Sequence, residues 1–117
     1  MVECDTISET NCALPDEVLE EIIAGVRPVC PTRLVVFGSA VELGLKSNDI
    51  DLLILSDDFR GVQFDMRRSL LRFPEDLFID SWLYTPTEFD KTHPEDSQFR
   101  RRLEEESVDL LHLMRGD

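Results

Sequence analysis

Two aspartates two residues apart, Asp49 and Asp51, lead into the apolar run Leu52-Leu53-Ile54-Leu55. Side chains at i and i+2 of a strand point to one face, so these carboxylates stand roughly 6–7 Å apart at their base and can converge at their oxygens. Two like charges side by side on an apolar strand are costly unless a cation sits between them. Neighbouring carboxylates suit a hard divalent ion such as magnesium. Two-metal phosphoryl-transfer sites use bridging carboxylates to hold ions roughly 3.5–4 Å apart. Gly38-Ser39 lies ten residues upstream of this pair. A glycine lets the backbone approach an anion closely, and N–H groups at a helix start attract phosphate. The Ser39 hydroxyl adds a donor, and Lys46 is the nearby cation. A third acid, Asp80, stands in the strand-like run Leu77-Phe78-Ile79-Asp80-Ser81-Trp82-Leu83. Acids are disfavoured in strands, so Asp80 is a candidate metal ligand and general base for an attacking hydroxyl. These residues describe a grip on a magnesium–nucleoside triphosphate from two sides.

Such a grip needs strands that end beside one another. Leu14, Val18, Ile22 and Val26 recur at helical spacing, with Leu19 and Ile23 widening the stripe. Pro15 suits the first turn of that helix, Asp16 and Glu17 complement its dipole, and Gly25 and Pro28 mark its stop. Arg33 to Phe37 reads as a buried strand ending at Gly38, followed by a short turn or helix over Ala40 to Leu43. Asp49 to Leu55 is a second strand. Residues 63–73 suggest a helix with Phe64, Met66, Leu70, Leu71 and Phe73 inward. Leu77 to Tyr84 is a third strand, and Thr85-Pro86-Thr87-Glu88 carries the capping signature of a helix start. Residues 96–106 form a further polar helix, and Val108 to Met114 a short last strand. Residues 1–13 read as a flexible leader and 14–117 as a single domain.

Composition narrows the function classes. The chain has 117 residues, 42% hydrophobic and 32% charged, which is one folded domain's worth. Its net charge is −13, with −9 in residues 1–58 and −4 in residues 59–117. That field repels phosphate polymers and argues against non-specific nucleic-acid binding. Three cysteines, Cys4, Cys12 and Cys30, without a CxxC, argue against a disulfide framework or zinc site. The acidic N-terminus carries no signal-peptide pattern, and apolar runs of about five residues fall short of the roughly 20 a membrane span needs. The expectation is a soluble cytoplasmic protein.

Other residues read as structural. His93 and His112 are too far apart in sequence to suggest a metal pair, and Trp82 and Phe89 read as core. Arg100-Arg101-Arg102 stands at i,i+4 spacing to Glu104-Glu105-Glu106, which suggests pairing along one helix. Arg67, Arg68 and Arg72 are candidates to line the nucleotide cleft.

Taken together, Val36-Phe37-Gly38-Ser39, Asp49-Ile50-Asp51-Leu52-Leu53-Ile54 and Ile79-Asp80 followed by Leu83 to Phe89 resemble the minimal nucleotidyltransferase domain of the DNA polymerase β superfamily. The resemblance spans roughly residues 15–114. It implies an α+β fold with a small mixed β-sheet backed by helices. It implies Asp49, Asp51 and Asp80 as the triad for two magnesium ions, with Gly38 and Ser39 on the triphosphate and Lys46 as a substitute cation. The implied reaction moves a nucleoside monophosphate, usually AMP from ATP, onto a hydroxyl with release of pyrophosphate. It further suggests a second chain of the HEPN type, an RNA-cleaving toxin that the transferase neutralises as antitoxin; a homodimer is also compatible. Members often carry basic residues after Gly-Ser, whereas this turn reads Gly38-Ser39-Ala40-Val41-Glu42-Leu43-Gly44. The alternative expectation is therefore an inactive module that neutralises a partner by binding alone.

Overall fold

The run Arg33-Leu34-Val35-Val36-Phe37 is apolar on both sides of its pleat because helices cover both faces of the sheet it joins. The computed structural model describes residues 12–115. Its strands are β1 (Arg33–Phe37), β2 (Ile50–Leu55), β3 (Ile79–Tyr84) and β4 (Ser107–Asp109). They form one mixed sheet in the order β3-β2-β1-β4. The β1–β2 and β1–β4 pairs are antiparallel, and the β2–β3 pair is parallel. The helices are α1 (Asp16–Val26), α2 (Ala40–Leu43), α3 (Phe64–Arg67), α4 (Pro86–Thr92), α5 (Gln98–Glu105) and α6 (Leu111–Arg115). This is an α+β domain with a small mixed sheet and flanking helices.

Alternation along the strands divides the core in two. Leu34 and Val36, Ile50, Leu52 and Ile54, and Leu83 pack with the α1 stripe of Val18, Leu19, Ile22, Ile23 and Val26. Val35, Leu53 and Leu55 face the other way, onto Phe89 of α4 and Leu103 of α5. The capping box that opens α4 is complete. Thr85 Oγ1 accepts from the Glu88 N–H at 3.2 Å, and Glu88 Oε1 accepts from the Thr85 N–H at 2.9 Å.

Several expected elements differ. The helix expected over 63–73 is a single turn of α-helix followed by a 3₁₀ turn over Arg68–Leu70. Leu71 is buried and Phe73 half-buried, but Phe64, Met66 and Leu70 are exposed and Arg67 is 2% exposed. A buried guanidinium needs partners. Arg67 has a bidentate pair with Glu88 at 2.6 and 2.9 Å, and donates to the carbonyls of Val62 and Leu83. Phe64 lies over its guanidinium, 4.2 Å from ring centroid to Cζ.

Gly25 does not stop α1; it sits inside the helix where a Cβ would lie 2.7 Å from Phe73 Cδ1 and 2.9 Å from Arg72 O. The third strand begins at Ile79, with Phe78 exposed before it. The last strand is only Ser107–Asp109. Asp109 Oδ1 then accepts from the Leu111 N–H at 2.8 Å and starts α6. Leu110 and Leu113 are buried together at helical spacing. Among the described residues, the arginines of α5 form no ion pair with Glu104–Glu106; Arg100 pairs with Asp90 at 3.2 Å. The expected leader falls, save for residues 12 and 13, outside the described residues.

Candidate functional site

Strand direction brings the chemistry-bearing residues to one edge. β2 and β3 are parallel and begin at the same end of the sheet, where antiparallel β1 finishes. The register makes Asp51 the partner of Phe37 on one side and of Asp80 on the other. Register partners on neighbouring strands share a face, with the strands about 4.7–4.9 Å apart. Asp49 lies one residue before β2 rather than in it, two before Asp51. Asp49 and Asp80 are exposed and Asp51 is half-buried.

Partial burial raises the Asp51 carboxyl above its ordinary range; the charges of Asp80 and then Asp49 push it further up, and Arg102 opposes them. The three acids therefore act on one another electrostatically. Among the described residues, no group of three His, Cys, Asp or Glu side chains is gathered closely enough to hold a metal ion as a ready cluster. The carboxylates share an edge and a field.

The glycine expectation gains a specific reason. Gly38 has φ +78, and a Cβ there would lie 2.5 Å from Asp51 Oδ2. Only glycine lets the chain turn here with the carboxylate against its backbone. Ser39 follows, and its Oγ lies 2.6 Å from Ser47 Oγ. Ser47 Oγ in turn donates to the Asp49 carbonyl at 2.9 Å. α2 is only four residues long, so the turn offers local N–H groups rather than a helix dipole. The N–H groups of Val41, Glu42 and Leu43 are already held by the carbonyls of Gly38 and Ser39.

Ser39, Leu43, Lys46, Ser47, Asn48, Asp49 and Asp51 line a concavity of about 350 Å³. The structure thus gathers Ser39, Lys46, Asp49 and Asp51 around one hollow, with Gly38 backing Asp51. Asp80 adjoins Asp51 by register but is not in that lining. Gly38 also borders a second hollow of about 450 Å³ with Val41, Glu42, Glu105 and Glu106.

Three residues stand beside the candidate site that no sequence pattern marked. Ser47 bridges the turn and the first acid; its place just before Asn48-Asp49, in a turn, was the available signal. Arg102 acts on Asp51, which no local pattern announces. Phe37 forms an aromatic group beside the acids with Trp82 and Phe99, at centroid distances of 5.5–6.1 Å. None of the candidate cleft arginines Arg67, Arg68 and Arg72 lines this hollow: Arg67 is committed to Glu88, and Arg68 lies over Phe73. Phe89 fills the core, and His93 stacks on Phe99 at 4.3 Å, where burial and then Arg100 lower its basicity. Cys12 and Cys30 are free thiols. Among the described residues no helix is long and apolar enough to cross a membrane.

No family model, curated protein or solved structure matches this chain.

Proposed function

We propose that the chain is a magnesium-dependent nucleotidyltransferase of the DNA polymerase β type, acting on ATP and a hydroxyl acceptor. One observation carries the reading: Asp51 and Asp80 are register partners at the sheet edge where Gly38 gives up its Cβ space to the Asp51 carboxylate. An arrangement that costs like-charge repulsion on a folded edge is explained by a cation that relieves it. The donor set is all oxygen, which fits magnesium. Asp49, Asp51 and Asp80 would hold it, and it would supply charge neutralisation at the transferring phosphoryl group. Lys46 and the Gly38-Ser39 turn face the phosphates. Asp80, exposed on an edge strand, is open to an acceptor and takes the proton of its hydroxyl. The hydroxyl oxygen bonds to the α-phosphorus as the bond to pyrophosphate breaks. The acceptor is a hydroxyl of a protein or an RNA, and the resemblance points to a second chain of the HEPN type.

A second reading is favoured by one feature. Glu42 stands in the turn after Ser39 and shares the hollow beside Gly38 with Glu105 and Glu106. Such a surface suits contact with a basic partner without transfer. Incubation with magnesium, α-labelled ATP and host lysate separates the two. Transfer predicts a labelled protein or RNA band that disappears with Asp51→Asn. Neutralisation of a partner that survives Asp51→Asn establishes the binding reading instead.

A further inference from the structure

The two halves of the site are joined through one side chain. Ser47 Oγ lies 2.9 Å from the Asp49 carbonyl, and a carbonyl oxygen only accepts. The single Ser47 proton is therefore spent on Asp49. The 2.6 Å contact between the two hydroxyls must then have Ser39 as donor and Ser47 as acceptor. The result is a directed chain from Ser39 through Ser47 to the carbonyl of Asp49. It runs from the turn after β1 to the residue that leads into β2. The backbone at both ends is tied as well: the Ser39 carbonyl accepts from the N–H groups of Glu42 and Leu43, and the Ser47 N–H donates to the Gly44 carbonyl. The chain lies on the wall of the hollow that also contains Lys46 and Asp51.

From this geometry we infer that Ser47 is a positioning residue: it fixes the backbone of the Gly38-Ser39 turn and that of Asp49 at one spacing, so that the turn and the acids meet a triphosphate in register, with the Ser39 hydroxyl as a strut and not a phosphate donor. The inference rests on the nucleotide reading above. Without the Ser47 hydroxyl, the Ser39 hydroxyl turns to water and the segment from Gly44 to Asp49 loses its tie to the turn. Binding must then order both. A single hydrogen bond of this kind corresponds to roughly a 2- to 10-fold change in affinity.

The test is titration of the purified full chain with magnesium–ATP by calorimetry, beside amide NMR spectra of the free protein. Ser47→Ala weakens binding roughly 2- to 10-fold, and Ser47→Thr, which restores the hydroxyl, returns it to the wild-type value. Ser39→Ala/Ser47→Ala binds no more weakly than the weaker single variant, because the two hydroxyls act as one unit. In the free protein, Ser47→Ala moves the amide signals of both Gly38-Ser39 and Asp49-Ile50. A merely structural Ser47 moves only the Gly44–Asp49 segment and leaves affinity unchanged; that result, or additive losses in the double variant, overturns the inference. Wild-type protein that binds no magnesium–ATP overturns the nucleotide reading and the inference with it, so the two failures are told apart by the wild-type titration.

Discussion

Asp51 concentrates the physics of the site in one carboxyl group. Its proton affinity is raised by burial and by Asp80 and Asp49, so the folded state holds a proton that the unfolded state releases. The native chain binds more protons than the unfolded one between the two pKa values, so stability falls as pH rises through that window. Above it, the full cost of the charged Asp51 persists. Asp51→Asn is therefore expected to raise the thermal midpoint at pH 7 by a few degrees and to leave it unchanged at pH 3, as calorimetry checks. Magnesium reverses the pattern, since a bound cation favours the charged carboxylate. Titrating the wild-type Asp51 carboxyl by carbon NMR with and without magnesium should show its pKa falling when the ion is added. At this scale the sequence was informative: the spacing of Asp49 and Asp51, the glycine at 38 and the isolated acid at 80 were all visible as residue types in suspicious places. Ser47 and Arg102 were not, because a hydroxyl in a turn and an arginine on a polar helix are ordinary until the fold brings them beside the acids.

Among the elements, the strands were legible and the segment between β2 and β3 was not. β1 and β2 are covered on both faces, so their apolar runs read plainly. Residues 63–73 carry apolar side chains at spacing that suits a helix, yet Arg67 is buried more deeply than any of them. Its bond to Glu88 fastens α3 to the capping box of α4 and to the edge of β3. No propensity foresees a guanidinium taking the inward position. The same pair holds the Glu88 carboxyl down to about 2, chiefly through the Arg67 hydrogen bonds. A lowered carboxyl contributes stability above its unfolded pKa and loses it as pH falls from the ordinary glutamate range, near 4.5, toward about 2. Arg67→Met takes the guanidinium from Glu88 and from the carbonyls of Val62 and Leu83, and is expected to cost about 2–4 kcal/mol in urea unfolding at pH 7. The cost should shrink as pH drops through that window. The end of the chain illustrates the complementary difficulty. Val108 to Met114 satisfies strand and helix patterns alike, and the Asp109 side chain decides by capping Leu111.

At the scale of the whole molecule, one edge of a four-stranded mixed sheet is the proposed metal–nucleotide site. The fold supports it by topology: a parallel β2–β3 pair beside an antiparallel β1 sets Phe37, Asp51 and Asp80 in one row, with Gly38 at its end against the Asp51 carboxylate. The overall acidity of −13 leaves that row dependent on a cation for contact with any phosphate, with Lys46 the basic side chain in the hollow. The most direct measurement is calorimetric titration of the purified protein with ATP, with and without magnesium, beside Asp49→Asn/Asp51→Asn and Gly38→Ala. Saturable binding is expected that requires magnesium, is abolished in the double variant, and is weakened in Gly38→Ala, where a methyl group would lie against the Asp51 carboxylate. Binding that is indifferent to magnesium, or that survives the loss of both aspartates, would contradict the proposal.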